Sequence, residues 1–300
     1  MPIVTTYSAM LPILNDSCVT FGGRWWLAGG VQVRSVTNEE ERFVSERAPR
    51  GFGHRVAAGQ RMLAITSLEA GPYDRVEISH EKAVNLTALC AQVAFNLVAE
   101  SDPMVIPYGV VVSEAYTRRL RCVYEFDAWG DTIALRRRRY RIRQDIERSE
   151  VKALFEMALA SVEPRPELAI TLRRLCSALV KTDFEDQLID LAICLESLVP
   201  GGGEYRFRFP YYLSLLTERT AEERKNAFGK LRTLYDARSA LVHGSANRSR
   251  DVTKAATIWP MLVASAKRCV LYRLQFERTV SDLTWKEHLE DLSYGKPPLL

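Results

Sequence analysis

Arg238 and His243 stand five residues apart in the segment LRTLYDARSALVHG. An arginine can hold phosphate oxygens, and a histidine can move a proton near neutral pH. Together they are what cleavage of RNA through attack of the ribose 2′-hydroxyl requires. His243 sits directly before Gly244, a residue suited to ending a helix. A helix C-terminus attracts positive charge, and a side chain on the last turn is free to reach a cleft. This chemistry asks for no metal or other cofactor, and the sequence offers no ligand set for one. The cysteines, Cys18, Cys90, Cys122, Cys176, Cys194 and Cys269, are scattered without a C-x-x-C pair and read as buried, reduced thiols. The bare spacing is common, however. Arg75 and His80 share it in RVEISH, on an expected strand.

The elements that must position the pair are helices. Over residues 220–243 the apolar Phe228, Leu231, Leu234, Tyr235, Leu241 and Val242 recur at helical spacing and define one inward stripe. Arg238 falls inside that stripe, three or four residues from Leu234, Tyr235, Leu241 and Val242. A buried arginine needs a partner, because an unpaired charge away from water is costly. Glu196 lies within the apolar face Ile189, Ala192, Ile193 and Val199 of a helix expected over 184–198. The two charges predict a buried ion pair, whose breaking would cost roughly 3–5 kcal/mol. The pair reads equally well as purely structural.

Two strings, LIDLAICLESLVPGGGEYRFRFPYYLSLLTE and LRTLYDARSALVHG, resemble the Apea-like HEPN group. Its pattern is an acidic residue in LES, a helix opened by E-y-r-f-r, and then Y-D-x-R-S-x-h-V-H-G. The resemblance covers about residues 167–277. It implies an up-and-down helical bundle, commonly a homodimer. It also implies a metal-independent endoribonuclease of toxin or antiviral defence systems, with RNA as substrate and an antitoxin or defence protein as partner. Arg238 and His243 match the family's R-x4-6-H, and Glu196 matches its helix acid. Many catalytic members carry Asn, Asp or His directly after the arginine, where this chain has Ser239, a residue that could contact RNA. Other members only bind RNA or nucleotide, or serve as dimerisation modules, and that alternative stays open.

The whole chain predicts an α+β protein: a mixed α/β domain over residues 1–148 and the HEPN-like bundle over 149–300. A length of 300 residues favours two domains, and 47% hydrophobic with 26% charged residues is ordinary globular composition. A net charge of +4 says nothing about nucleic acid unless it is clustered. It is clustered in a hairpin expected over 119–142, which, with its flanks, carries nine arginines, among them Arg136, Arg137, Arg138 and Arg139. These read either as an RNA track or as a solvated strand face. YDRVEIS alternates like a strand, and residues 81–99 read as a buried helix. Further helices are expected over 146–162, 167–181, 207–217, 250–277 and 284–293, with Pro260 kinking the sixth of the C-terminal series. The tryptophans read as core or turn anchors. No segment has the make-up of a signal peptide or a membrane span, which predicts a cytoplasmic protein.

Overall fold

The computed structural model describes, with their side chains, residues 31–33, 37–39, 42, 86–98, 149–162, 164–181, 183–201, 203–280 and 283–297. Backbone structure is also described for 5–12, 25–26, 34–35, 61–70, 73–85, 108–113, 120–125 and 148. The chain divides into two compact units, Met1–Asp131 with Leu135–Leu159, and Thr132–Ala134 with Ala160–Leu300.

The second unit is helix on helix. After α2 (Arg148–Val162), whose last turn begins it, come α3 (Glu167–Val180), α4 (Phe184–Glu196), α5 (Tyr205–Thr217), α6 (Ala221–His243), α7 (Arg248–Thr257), α8 (Trp259–Thr279) and α9 (Trp285–Ser293). Local chemistry sets the ends. Asp183 caps α4 by accepting the Asp186 N–H at 3.0 Å, and Glu185 and Asp186 place negative charge on the first turn. Pro260, the expected kink, stands at a break instead. α7 ends at Thr257, and α8 starts with Pro260 in its first turn, where the missing N–H costs no hydrogen bond. The core is filled by Leu172 and Leu175 of α3, Leu188, Leu191 and Leu195 of α4, Phe209 and Leu213 of α5, Leu231 and Leu234 of α6, and Leu262 and Val270 of α8, all buried. Each removes apolar area from water at about 25 cal/mol per Å².

The first unit holds α1 (Tyr73–Val98), whose Ala88, Cys90, Ala91, Val93, Ala94 and Phe95 are all buried, as expected of a helix apolar on several faces. Its backbone also traces strands β1 (Thr5–Pro12), β2 (Trp25–Trp26), β3 (Val31–Ser35), β4 (Arg61–Ala70), β5 (Tyr108–Ser113) and β6 (Leu120–Glu125). They pair antiparallel in the order β2-β3-β4-β1-β5-β6. Side chains on these strands are described for Val31–Val33 alone.

The expected α+β class is corrected by this structure. Of the residues described in full, 81% are helical with one short strand, so the described molecule is mainly all-α. Apart from Val31 and Val33, every described core side chain comes from a helix or the turns next to one. One physical reason is visible at YDRVEIS. Its alternation over seven residues predicts a strand, yet Tyr73–Ser79 forms the first turns of α1, continuous with the apolar run that follows. Arg75 and His80 are therefore helical too. Among the described residues no helix is long and apolar enough to cross a membrane.

Candidate functional site

α6 carries the site. Thr220 and Glu223 form a reciprocal capping box, with Oγ1 of Thr220 accepting the Glu223 N–H at 3.2 Å and Oε2 of Glu223 accepting the Thr220 N–H at 3.0 Å. At the far end Gly244 adopts φ 67° and ψ 39°, a left-handed conformation that glycine enters without strain. His243 is thus the last helical residue, as its place before Gly244 predicts.

The face that α6 buries differs from the expected stripe. Ala227, Leu231, Leu234, Ala237 and Ala240 are buried, Phe228 and Tyr235 are half-buried, and Val242 is 52% exposed. Small alanines let the neighbouring helices approach, and a stripe counted from large residues alone is rotated away from them. Arg238 consequently stands at the edge of the core rather than within it.

Arg238 does meet Glu196, with Nη2 at 3.4 Å from Oε2. The pair joins α6 to α4, but it is not buried: the side chains are 25% and 19% exposed. Desolvation pushes the Glu196 carboxyl above its ordinary value, and the nearby Arg238 charge, which pulls the other way, does not cancel it. The Nε of Arg238 is buried without a hydrogen-bond partner. These features describe a weak, half-solvated ion pair, and the cost of 3–5 kcal/mol expected for a buried one does not apply.

His243 is exposed. Five residues of α-helix turn through about 500°, so His243 and Arg238 point roughly 140° apart. His243 instead shares its face with Asp236, one heptad earlier, because seven residues return to within about 20°. Asp236 is gripped from α5 by Arg206, whose Nε and Nη2 donate to Oδ1 at 2.9 Å and Oδ2 at 3.3 Å. Arg232, one turn earlier on the same face, reaches Asp236 at 3.9 Å. Ser239 lies between Asp236 and His243 and is half-buried.

The structure therefore brings Arg238 to Glu196 and leaves His243 on a separate, solvent-facing stripe of Arg232, Asp236 and Ser239. Arg206 and Asp236 were not singled out by sequence reasoning, although the seven-residue spacing of Asp236 and His243 is readable there. Arg136, Arg137, Arg138 and Arg139 lie outside the described residues. The first arm of their expected hairpin is β6, which pairs with β5.

Two other polar clusters brace the bundle. Asp190 of α4, 1% exposed, accepts hydrogen bonds from Arg174 at 2.5 Å and Ser177 at 2.7 Å and pairs with Lys181 at 2.7 Å. Burial alone would raise its carboxyl, but these three partners outweigh it and hold it below the usual range. On α8, the buried Arg273 and Glu277 pair at 2.6 Å, and Arg165 adds a second contact to Glu277. Cys90, Cys176, Cys194 and Cys269 are buried, and burial pushes the Cys90 and Cys269 thiols up to about 12. Among the described residues no group of three or more His, Cys, Asp or Glu side chains gathers to hold a metal. No family model, curated protein or solved structure matches this chain.

Proposed function

We propose that the chain is a HEPN-type endoribonuclease of toxin or antiviral defence, cleaving RNA by attack of a ribose 2′-hydroxyl without a metal. The observation that carries the reading is His243, exposed on the last turn of α6 at the end of the Arg232–Asp236–Ser239 stripe. In the reaction a 2′-oxygen–phosphorus bond forms and the bond to the 5′-oxygen breaks. The products are a 2′,3′-cyclic phosphate and a 5′-hydroxyl. One group must take the 2′-hydroxyl proton and one must protonate the leaving oxygen, and an imidazole can do either. Guanidinium donors stabilise the charge that grows on the phosphate oxygens. Arg238 belongs to that role in the R-x4-H reading, with Glu196 orienting it and Arg136–Arg139 serving as a further RNA track.

A second reading, an RNA- or nucleotide-binding module without catalysis, is favoured by one specific observation. Arg238 is engaged by Glu196 and points well away from His243. Incubating the full chain with mixed RNA in EDTA separates the two. Cleavage to cyclic-phosphate ends that His243→Ala abolishes, with the fold unchanged by circular dichroism, supports the nuclease. RNA retained on the protein but never cut supports the binding module.

A further inference from the structure

Arg206 to Tyr212, RFRFPYY, interleaves basic and aromatic residues along α5. Phe209 of this run is buried, but Phe207 is 55% exposed. Burial is what usually drives the placement of a phenylalanine, and Phe207 forgoes most of it. The ring is nonetheless held. It stacks on Tyr211 at 5.4 Å with planes 17° apart and leans on Phe228 of α6 at 5.7 Å. Guanidiniums stand at neighbouring positions of α5 and α6. Arg208 lies 5.7 Å above the Tyr212 ring, Arg206 is fixed on Asp236, and Arg232 follows Phe228 by one turn. Arg206 and Arg232 share one carboxylate, Asp236, while Arg208 lies over Tyr212 and donates to the Gly201 carbonyl at 3.4 Å. Glu204 at the helix N-cap and Asp251, which acts on Arg206, are further acids here.

We infer that this patch is a stacking platform for single-stranded RNA, on which a base lies against Phe207 while Arg208 and Arg232 neutralise its flanking phosphates. Every base offers a π-face, so stacking needs no particular sequence, and it needs an unpaired base. A polyanion suits Arg208, which meets no carboxylate among the described residues, and Arg232, 3.9 Å from Asp236. A second copy of this chain does not, because a two-fold contact here would set like charges against each other. The stripe Arg232–Asp236–Ser239–His243 leads from the platform, and Asp236 lies roughly 10 Å along the helix from His243. A strand held at Phe207 therefore runs toward the proposed centre. The inference rests on the RNA reading of that centre and names its substrate as single-stranded.

The test is fluorescence anisotropy of a labelled oligouridylate on the full chain, with His243→Ala as the common background so that nothing is cut. Phe207→Ala should weaken binding roughly tenfold, and Phe207→Trp should restore it. Changing Arg208 and Arg232 to Gln should reduce the slope of log affinity against log salt by about 0.7 for each phosphate no longer neutralised. Binding to a duplex RNA of equal length should not depend on Phe207. Equal affinity of the Ala and Phe forms overturns the inference, as does failure of the parent to bind the oligomer. So does a sedimentation change on Phe207→Ala without loss of RNA, which marks the patch as an interface between copies. Phe207-dependent binding with no cleavage by the wild type leaves the platform standing and removes the nuclease. Cleavage that requires His243 but ignores Phe207 does the reverse.

Discussion

Glu196 and Asp190 sit six residues apart in the same segment of α4, yet their environments push their carboxyls in opposite directions. In an unfolded chain a glutamate titrates near about 4.3 and an aspartate near about 3.9. Glu196 is raised on folding, so between its unfolded and folded values the native state holds the extra proton. Stability then falls as pH rises through that window, and above it the ionised Glu196 is a net cost. Glu196→Gln should therefore melt no lower than wild type at pH 7, and Glu196→Ala should cost at most about 1 kcal/mol. A loss of several kcal/mol in urea titrations would restore the buried-pair view. Asp190 is lowered on folding, so its contribution is complete above the unfolded value and is lost as pH falls below it. Asp190→Ala should cost about 2 kcal/mol at pH 7, since it removes buried hydrogen bonds to charged donors. That deficit should shrink in strongly acidic buffer. An unchanged denaturation midpoint at pH 7 would show that Arg174 and Lys181 gain nothing from it.

α9 is sensitive to pH through its buried histidine, His288. Its capping box, Thr284 with Glu287, starts the helix, and Trp285 donates to the Leu198 carbonyl at 2.7 Å. His288, 2% exposed, stacks on Phe276 at 4.9 Å and on Tyr272 at 5.7 Å, with Nε2 at 2.9 Å from the Tyr272 hydroxyl. Burial lowers its pKa, and the Arg273 cation lowers it further against the opposing pull of Asp291. The folded chain therefore resists the proton that an unfolded imidazole accepts near about 6.5. Stability is complete above that value and is lost as pH falls below it. Hydrogen exchange of the α9 amides, corrected for intrinsic rates, should accelerate as pH drops below the unfolded value, and His288→Phe should remove that step. Acceleration that persists in His288→Phe would place its origin elsewhere. Elements such as α9 are legible in sequence because their caps are local: Asp183, the Thr220–Glu223 box and Gly244 each mark a boundary within a few residues. What is not legible locally is which side of a helix faces inward. Ala227, Ala237 and Ala240 carry no pattern of their own, and only neighbouring helices decide that they are buried while Val242 is not. The same blindness makes YDRVEIS read as a strand and puts Arg238 in the core. The Arg238–Glu196 contact escapes that error because both residues stand at the edge of the core, part-exposed and within reach of each other.

At the scale of the whole molecule the proposed reaction asks for more than the described residues of one chain present. Proton removal from the 2′-hydroxyl and proton delivery to the leaving oxygen are separate tasks. His243 is the one histidine of the motif, and His288 is locked in an aromatic cluster on α8 and α9. Arg238 and His243 also point roughly 140° apart along α6, too far round the helix to converge easily on one phosphate. A two-fold dimer removes both difficulties, because an isologous interface repeats every group across its axis. The half-exposed Val242 beside His243 could then be covered by its own counterpart. The expected outcome is a dimer by sedimentation in which one His243 from each copy serves a single shared site. Equal mixing of wild type with His243→Ala, allowed to exchange subunits, discriminates sharply. A shared site leaves activity only in wild-type pairs, roughly a quarter of the undiluted rate, whereas independent sites leave roughly a half. Half activity, or a monomer that cleaves RNA at full rate, would show that each chain completes the chemistry alone and that a second general acid or base in the same chain has to be found.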